Sequence, residues 1–202
     1  MNATVLDPRP LRQTRVLADA LPAVAARDLT LVVAGAGLTA LLAQVAVHIP
    51  PSPVPVTGQT LAVGLVGATL GARRGAASLL LYVLAGLALP IYADGASGWS
   101  TVWSANGGYL VGFVLAAALI GRLAELGTDR KVATAALAFV AAQLLVFVPG
   151  VIGLKLAADQ DWGWTIHNGF SIFIVGGLIK AAVGAAVMPS AWHLVKRFER
   201  KD

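Results

Sequence analysis

The chain has 202 residues, 57% of them hydrophobic and 12% charged, with a net charge of +5 and no cysteine. Soluble domains carry roughly 25% charged residues, so this composition, with a mean hydropathy of +0.77, excludes an ordinary soluble globule. Disulfides and thiolate metal sites are excluded as well, and the 22 glycines suit helices packed closely in lipid.

Residues 1–28 are comparatively polar and carry Arg9, Arg12, Arg15 and Arg27. No long apolar run comes before Leu29, and the stretch that starts there is long and has no clear small-x-small exit. It is therefore expected to be a retained first helix and not a cleaved secretory signal, with residues 1–28 a basic cytoplasmic segment. A membrane-spanning helix takes about 20 mostly apolar residues. Six such stretches follow, at approximately 29–47, 57–72, 75–92, 107–123, 132–154 and 169–194. The second is short and Gly-rich, which predicts little tilt or an irregular form. Strand alternation of the kind a β-barrel needs is absent. The expected fold is an all-α integral membrane protein: six transmembrane helices over 29–195, closed by a basic tail at 196–202.

The Lys and Arg residues sort cleanly between the two sets of loops. One set, with the termini, holds 13 of the 15, among them Arg73, Arg74, Arg122, Arg130 and Lys131; the other holds Lys155, and Lys180 falls inside the sixth stretch. The positive-inside rule puts both termini and the Arg73–Arg74 turn in the cytoplasm. The basic residues are thus topology signals, and no nucleic-acid partner is needed to explain them.

On this topology the run "HIPPSPVPVTGQTLAV", with Pro50, Pro51, Pro53 and Pro55, lies on the outer face. Proline fixes φ and removes a backbone donor, so the connector is stiff: a preorganised lid over a pocket, or a rigid linker between helices. Thr57, Gln59 and Thr60 follow it, and polar groups at that depth are costly unless paired. Asn106 and Tyr109 sit similarly at the start of the fourth stretch, where helix capping and interface anchoring are the plainer roles. Trp99, Trp103, Trp162, Trp164 and Trp192 fit an aromatic belt.

Lys180 lies about 11 residues into the sixth stretch, roughly 16 Å of helix. An ionisable group at that depth is a functional candidate. A ligand carboxylate, a hydrogen-bonded carbonyl or internal backbone carbonyls would satisfy it. There is no phosphate-binding G-x-x-x-x-G-K-[ST] loop, His48, His167 and His193 form no zinc motif, and no nucleophile motif appears. Nothing in the sequence calls for an enzyme or a cofactor.

The stretch "PPSPVPVTGQTLAVGLVGATLGARRGAASLLLYVLAGLALPIYA" resembles the BioY family, the biotin-specific substrate-binding subunits of energy-coupling factor (ECF) transporters. The shared pattern is P-x-P-V/I-T-x-Q-T-L, then L-G-x-R-x-G-A, an L-Y-x-L-x-G run and L-P-x-[FY]. "GGYLVGF" matches a second block, and "FIVGGLIKA" is a looser match to a third.

The resemblance implies a six-helix cell-membrane protein that takes biotin from outside. Its implied partners are a transmembrane coupling protein and two ATPase subunits, which places ATP hydrolysis on other chains. It places Gln59, Asn106, Tyr109 and Lys180 around biotin, and the proline segment over the pocket. It also makes Ala36 and Ala40 of the first helix the docking surface for the coupling protein. The third block usually reads G-D-x-x-K in the family, and Gly177 stands at the aspartate position. Two alternatives stay open: a related subunit for another small vitamin, and a degenerate membrane scaffold without a ligand.

Overall fold

A computed structural model of the protein describes residues 16–21 and 26–199. The expected basic segment and tail fall partly outside the described residues, as do Arg9, Arg12, Arg15, Arg200 and Lys201. Eight α-helices occur among the described residues. They are α1 (Arg27–Ala43), α2 (Gln59–Leu70), α3 (Ala72–Ala85), α4 (Gly98–Val102), α5 (Gly107–Glu125), α6 (Val132–Ala158), α7 (Trp162–Gly169) and α8 (Ile174–Glu199). The long helices α1, α2, α3, α5, α6 and α8 fall on the six apolar stretches in order. Among the described residues, three segments are long and apolar enough to cross a membrane: Gly107–Glu125, Val132–Ala158 and Trp162–Arg197, the last combining α7 and α8.

The short second stretch becomes the centre of the bundle. At 12 residues, α2 rises only about 18 Å, far less than the ~30 Å of a hydrocarbon core. It is enclosed by protein, packing on α5, α3, α1 and α8. Small residues make this possible. A Cβ at Gly67 would fall 2.5 Å from Ile120 Cγ2 and 2.6 Å from the Ala117 carbonyl of α5. On the opposite side the Phe139 ring of α6 fills the gap between α2 and α8, where a Cβ at Gly64 or Gly184 would lie 2.3 or 2.2 Å from it. Gly71 (φ +84°) joins α2 to α3 in a single residue, a conformation that glycine adopts without steric cost.

That reversal lies at the basic end of the bundle. Glu125 Oε1 accepts from the Ala72 N–H at the start of α3 (2.9 Å). Arg74 Nη2 donates to Asp19 Oδ1 (2.6 Å), which ties the turn Leu17–Ala20 to α3. Burial alone would raise the Asp19 carboxyl, but the Arg74 contact and the Val16 N–H outweigh it and hold the group below its ordinary value. Trp192 is not a belt residue as expected: it is buried, its Nε1 donates to Asp129 Oδ2 (2.6 Å), and Arg130 stacks on its ring. Trp99, Trp103 and Trp162 are exposed.

Three boundaries differ from the sequence expectation. The third helix ends at Ala85, and the chain then folds back so that the Tyr92 hydroxyl donates to the Val83 carbonyl (2.6 Å). The sixth stretch is divided: Asp161 Oδ1 caps α7 by accepting from the Trp164 N–H (3.0 Å), and the chain breaks at Phe170 before α8. The proline connector is a hairpin loop, closed by a two-residue antiparallel ladder of β1 (Ala46–Val47) and β2 (Val56–Thr57), with Ala46 opposite Thr57 and Val47 opposite Val56. So short a ladder leaves no alternation to read.

The stripe Gly35, Ala36, Thr39 and Ala43 is the buried face of α1, which packs on α3 and α2. Ala36 therefore points into the protein instead of outward as expected, and Ala40 is half-buried. The exposed face carries Val33, Ala34, Gly37, Leu38 and Leu41.

Candidate functional site

A cavity open at its mouth lies at the end of the bundle that carries the proline hairpin. Its walls come from the proline hairpin, the loop after α3, and helices α2, α4, α5, α6 and α8. Gln59, Asn106, Tyr109 and Lys180, the four residues singled out from sequence, all line it. Their surroundings differ.

Lys180 sits six residues past the first residue of α8, about 9 Å along it, because the chain breaks before Ile174. Its Nζ donates to the Thr57 carbonyl (2.5 Å) and to Thr60 Oγ1 (3.0 Å). Both partners are neutral, and among the described residues no carboxylate pairs with it. An ammonium has three donors, so one N–H and the whole charge remain for a ligand. Helices α2, α5 and α8 all start beside this cavity. Their N-termini carry partial positive charge and add to the field of Lys180, which favours an anionic group.

Gln59 is already engaged. Its Nε2 donates to the Tyr82 hydroxyl (2.7 Å), and its Oε1 accepts from Thr57 Oγ1 (2.7 Å). One amide N–H and one acceptor position are left over. Asn106 precedes α5, but its side chain makes no capping bond and no other hydrogen bond among the described residues. The capping role considered from sequence is therefore not what this amide does. The Tyr109 hydroxyl donates to the Gly169 carbonyl (2.7 Å), so the cavity meets its ring. Phe147 packs edge-on against that ring (6.4 Å between centroids) and Phe173 lies tilted beside it (6.2 Å). With Leu110 and Phe113 they form an apolar part of the cavity wall.

The hairpin contributes to the cavity lining. Pro53, Val54 and Pro55 line the cavity, and Val54 is buried. The loop is fastened at two points: Ser52 Oγ donates to the Asn168 carbonyl of α7 (2.9 Å), and His48 Nε2 lies 3.1 Å from Asp94 Oδ2 in the loop after α3. Sequence reasoning missed Gln143 and the aromatic wall. Gln143 did carry a signal, as the one polar side chain between Thr134 and Lys155 in α6. The wall carried none, since phenylalanines within apolar helices look the same whether they face lipid or a cavity.

A model of the BioY family matches residues 13–197. The chain belongs to the BioY family. A Lactococcus lactis subsp. cremoris protein named biotin transporter BioY2 is 35% identical over 179 residues, covering 85% of this chain and 95% of its own length. The biotin transporter BioY of Rhizobium etli is 34% identical over 165 residues, covering 73% and 87%. The crystal structure of the S-component for biotin from an ECF-type ABC transporter matches with a TM-score of 0.74 over 86% of this chain and 91% of that one. At 21% identity that likeness shows the shared fold. Together with the apolar helices, these matches make the chain a multi-pass membrane protein.

Within this BioY chain, the hairpin's two fastenings make a direct prediction. Ser52→Ala removes the tie to α7, so amide hydrogen exchange in peptides covering residues 47–57 rises while exchange in α5 and α6 stays as in the parent. Unchanged exchange in the hairpin would show that the loop is held by its own proline stiffness and not by Ser52.

Proposed function

We propose that this chain is the biotin-binding subunit of an ECF-type transporter, taking biotin from the outer face into the cavity under the proline hairpin. The observation that supports it most is Lys180, a cation on the cavity wall with only neutral protein partners. Biotin brings a carboxylate for that charge, an apolar thioether ring and chain for the Tyr109–Phe147–Phe173 wall, and a ureido ring for amide groups. Asn106, with its free amide, and Gln59, held by Tyr82 and Thr57, serve the ureido ring in this reading. Burial of an ion costs several kcal/mol unless it is compensated, so binding the anion relieves a cost already present in the unliganded protein.

The proposal includes six membrane-crossing helices, with both termini and the Arg73–Arg74 turn on the cytoplasmic side. The outer ends of α2 and α3 are then extended by loops folded into the protein, which compensates for their short length. Release into the cell requires a transmembrane coupling protein driven by two ATPase subunits, since the sequence has no phosphate-binding loop of its own. Docking on α1 is part of the proposal. Ala36 faces inward, so the contact falls to Ala40 together with Gly37, where an added Cβ meets nothing within 4 Å.

Two measurements test this. By calorimetry in detergent, the parent binds biotin more tightly than biotin methyl ester, and Lys180→Met abolishes that preference. A parent that binds ester and acid equally would remove the carboxylate from Lys180. Gly37→Leu keeps biotin affinity within about twofold, as expected of an exposed substitution, but lowers biotin uptake by cells that carry the coupling protein and ATPases. Full uptake by this variant would move the docking surface off α1.

A further inference from the structure

Gln143 carries the one buried side-chain polar atom in the cavity lining that has no partner among the described residues. It lies eleven residues past Val132 in α6, is 7% exposed, and lines both the main cavity and a smaller apolar crevice between α6 and α8. Its Nε2 donates to the Gly177 carbonyl (2.8 Å). Its Oε1 is buried and has no hydrogen-bond partner among the described residues. Exchanging the amide's oxygen and nitrogen does not help, because it would set Oε1 against the Gly177 carbonyl with two acceptors facing each other. The hydrogen-bond network thus fixes Oε1 as the unpaired acceptor.

The glycine opposite makes this arrangement possible. A Cβ at position 177 would lie 2.8 Å from Oε1, closer than van der Waals contact allows. The side chain of Gln143 occupies the space that any other residue at 177 would take. The neighbouring donors do not fill the vacant lone pairs: Lys180 is turned to Thr57 and Thr60, and Gln59 to Tyr82. The other residues around the crevice, from Val140 and Leu144 to Ile174 and Leu178, carry no side-chain donor. A buried acceptor without a donor is costly, and the group that can supply a donor from within the cavity is the ligand.

We propose that Gln143 Oε1 accepts a hydrogen bond from an N–H of the bound ligand, a cyclic urea on the reading above, and that Gly177 is the positioning residue that leaves room for it. The inference rests on the biotin reading for the identity of the donor. It names a contact that discriminates between ligands: a compound with only acceptors at this point gains nothing from Gln143, whereas a ureido ring does.

The test compares biotin with its two cyclic carbamate analogues, in each of which one ureido N–H is replaced by a ring oxygen. Affinities are measured for the parent, Gln143→Met and Gly177→Ala, after each is shown to be monodisperse. In the parent, biotin is preferred to one of the analogues by roughly 5- to 150-fold, the effect of leaving a buried acceptor unpaired. Gln143→Met brings that preference to within about twofold. Gly177→Ala does the same without removing a polar group, because its Cβ pushes aside the flexible end of Gln143; it carries the test if the Met variant does not fold. A parent with no preference, or a preference that survives in Gln143→Met, overturns the inference and leaves biotin binding standing. A parent that does not bind biotin at all overturns the biotin reading and the ureido donor with it.

Discussion

The site depends on a positive charge that the protein does not neutralise. Lys180 projects from α8 into a cavity where the Thr57 carbonyl and the Thr60 hydroxyl hold its ammonium in place. Neutral dipoles orient a cation without cancelling its charge, and three helix N-termini around the same cavity strengthen the field. Such an arrangement is costly for a protein in lipid unless something else is served by it. A binding subunit gains from it, because an anionic ligand then meets a site whose field and geometry are set before it arrives.

Much of the remaining structure keeps that geometry fixed. Thr57 and Thr60 reach Lys180 because α2 starts at the cavity and is packed deep in the bundle, and α2 can be so deep because Gly64 and Gly67 let Phe139 and α5 close on it. The hairpin that precedes α2 is stiffened by prolines and pinned by Ser52 and His48. The same few residues after the prolines thus begin the central helix, anchor the lysine and end the hairpin. Coupling of this kind keeps a binding site open in lipid, where no hydrophobic force holds helices together and close packing has to do so.

Length and apolarity marked the six stretches on which the long helices fall, because lipid imposes a simple rule on composition. They did not place helix ends. The start of α7 depends on a cap at Asp161 and the break before α8 on an irregular Phe170, which brings Lys180 nearer to the start of its helix than a continuous span would. Gln59, Asn106 and Tyr109 were legible as polar groups at span ends and Lys180 as a charge deep within one, but their partners were not. That the Tyr109 hydroxyl turns to Gly169, while the Asn106 amide stays free, depends on contacts across 60 residues or on none. Ala36 misled because small-residue spacing does not say which side of a helix is covered. Gly177 reads as a lost carboxylate in sequence, and in the fold it is the space that Gln143 fills.

The most direct test is biotin binding to the purified chain alone, in detergent, without nucleotide or other subunits. The account predicts saturable binding of one biotin per chain, with an affinity that falls modestly when ionic strength is raised because the Lys180 contact is screened in part. Absence of saturable binding by the folded, monodisperse protein would contradict it, and would leave a BioY fold whose charged cavity serves a different anion.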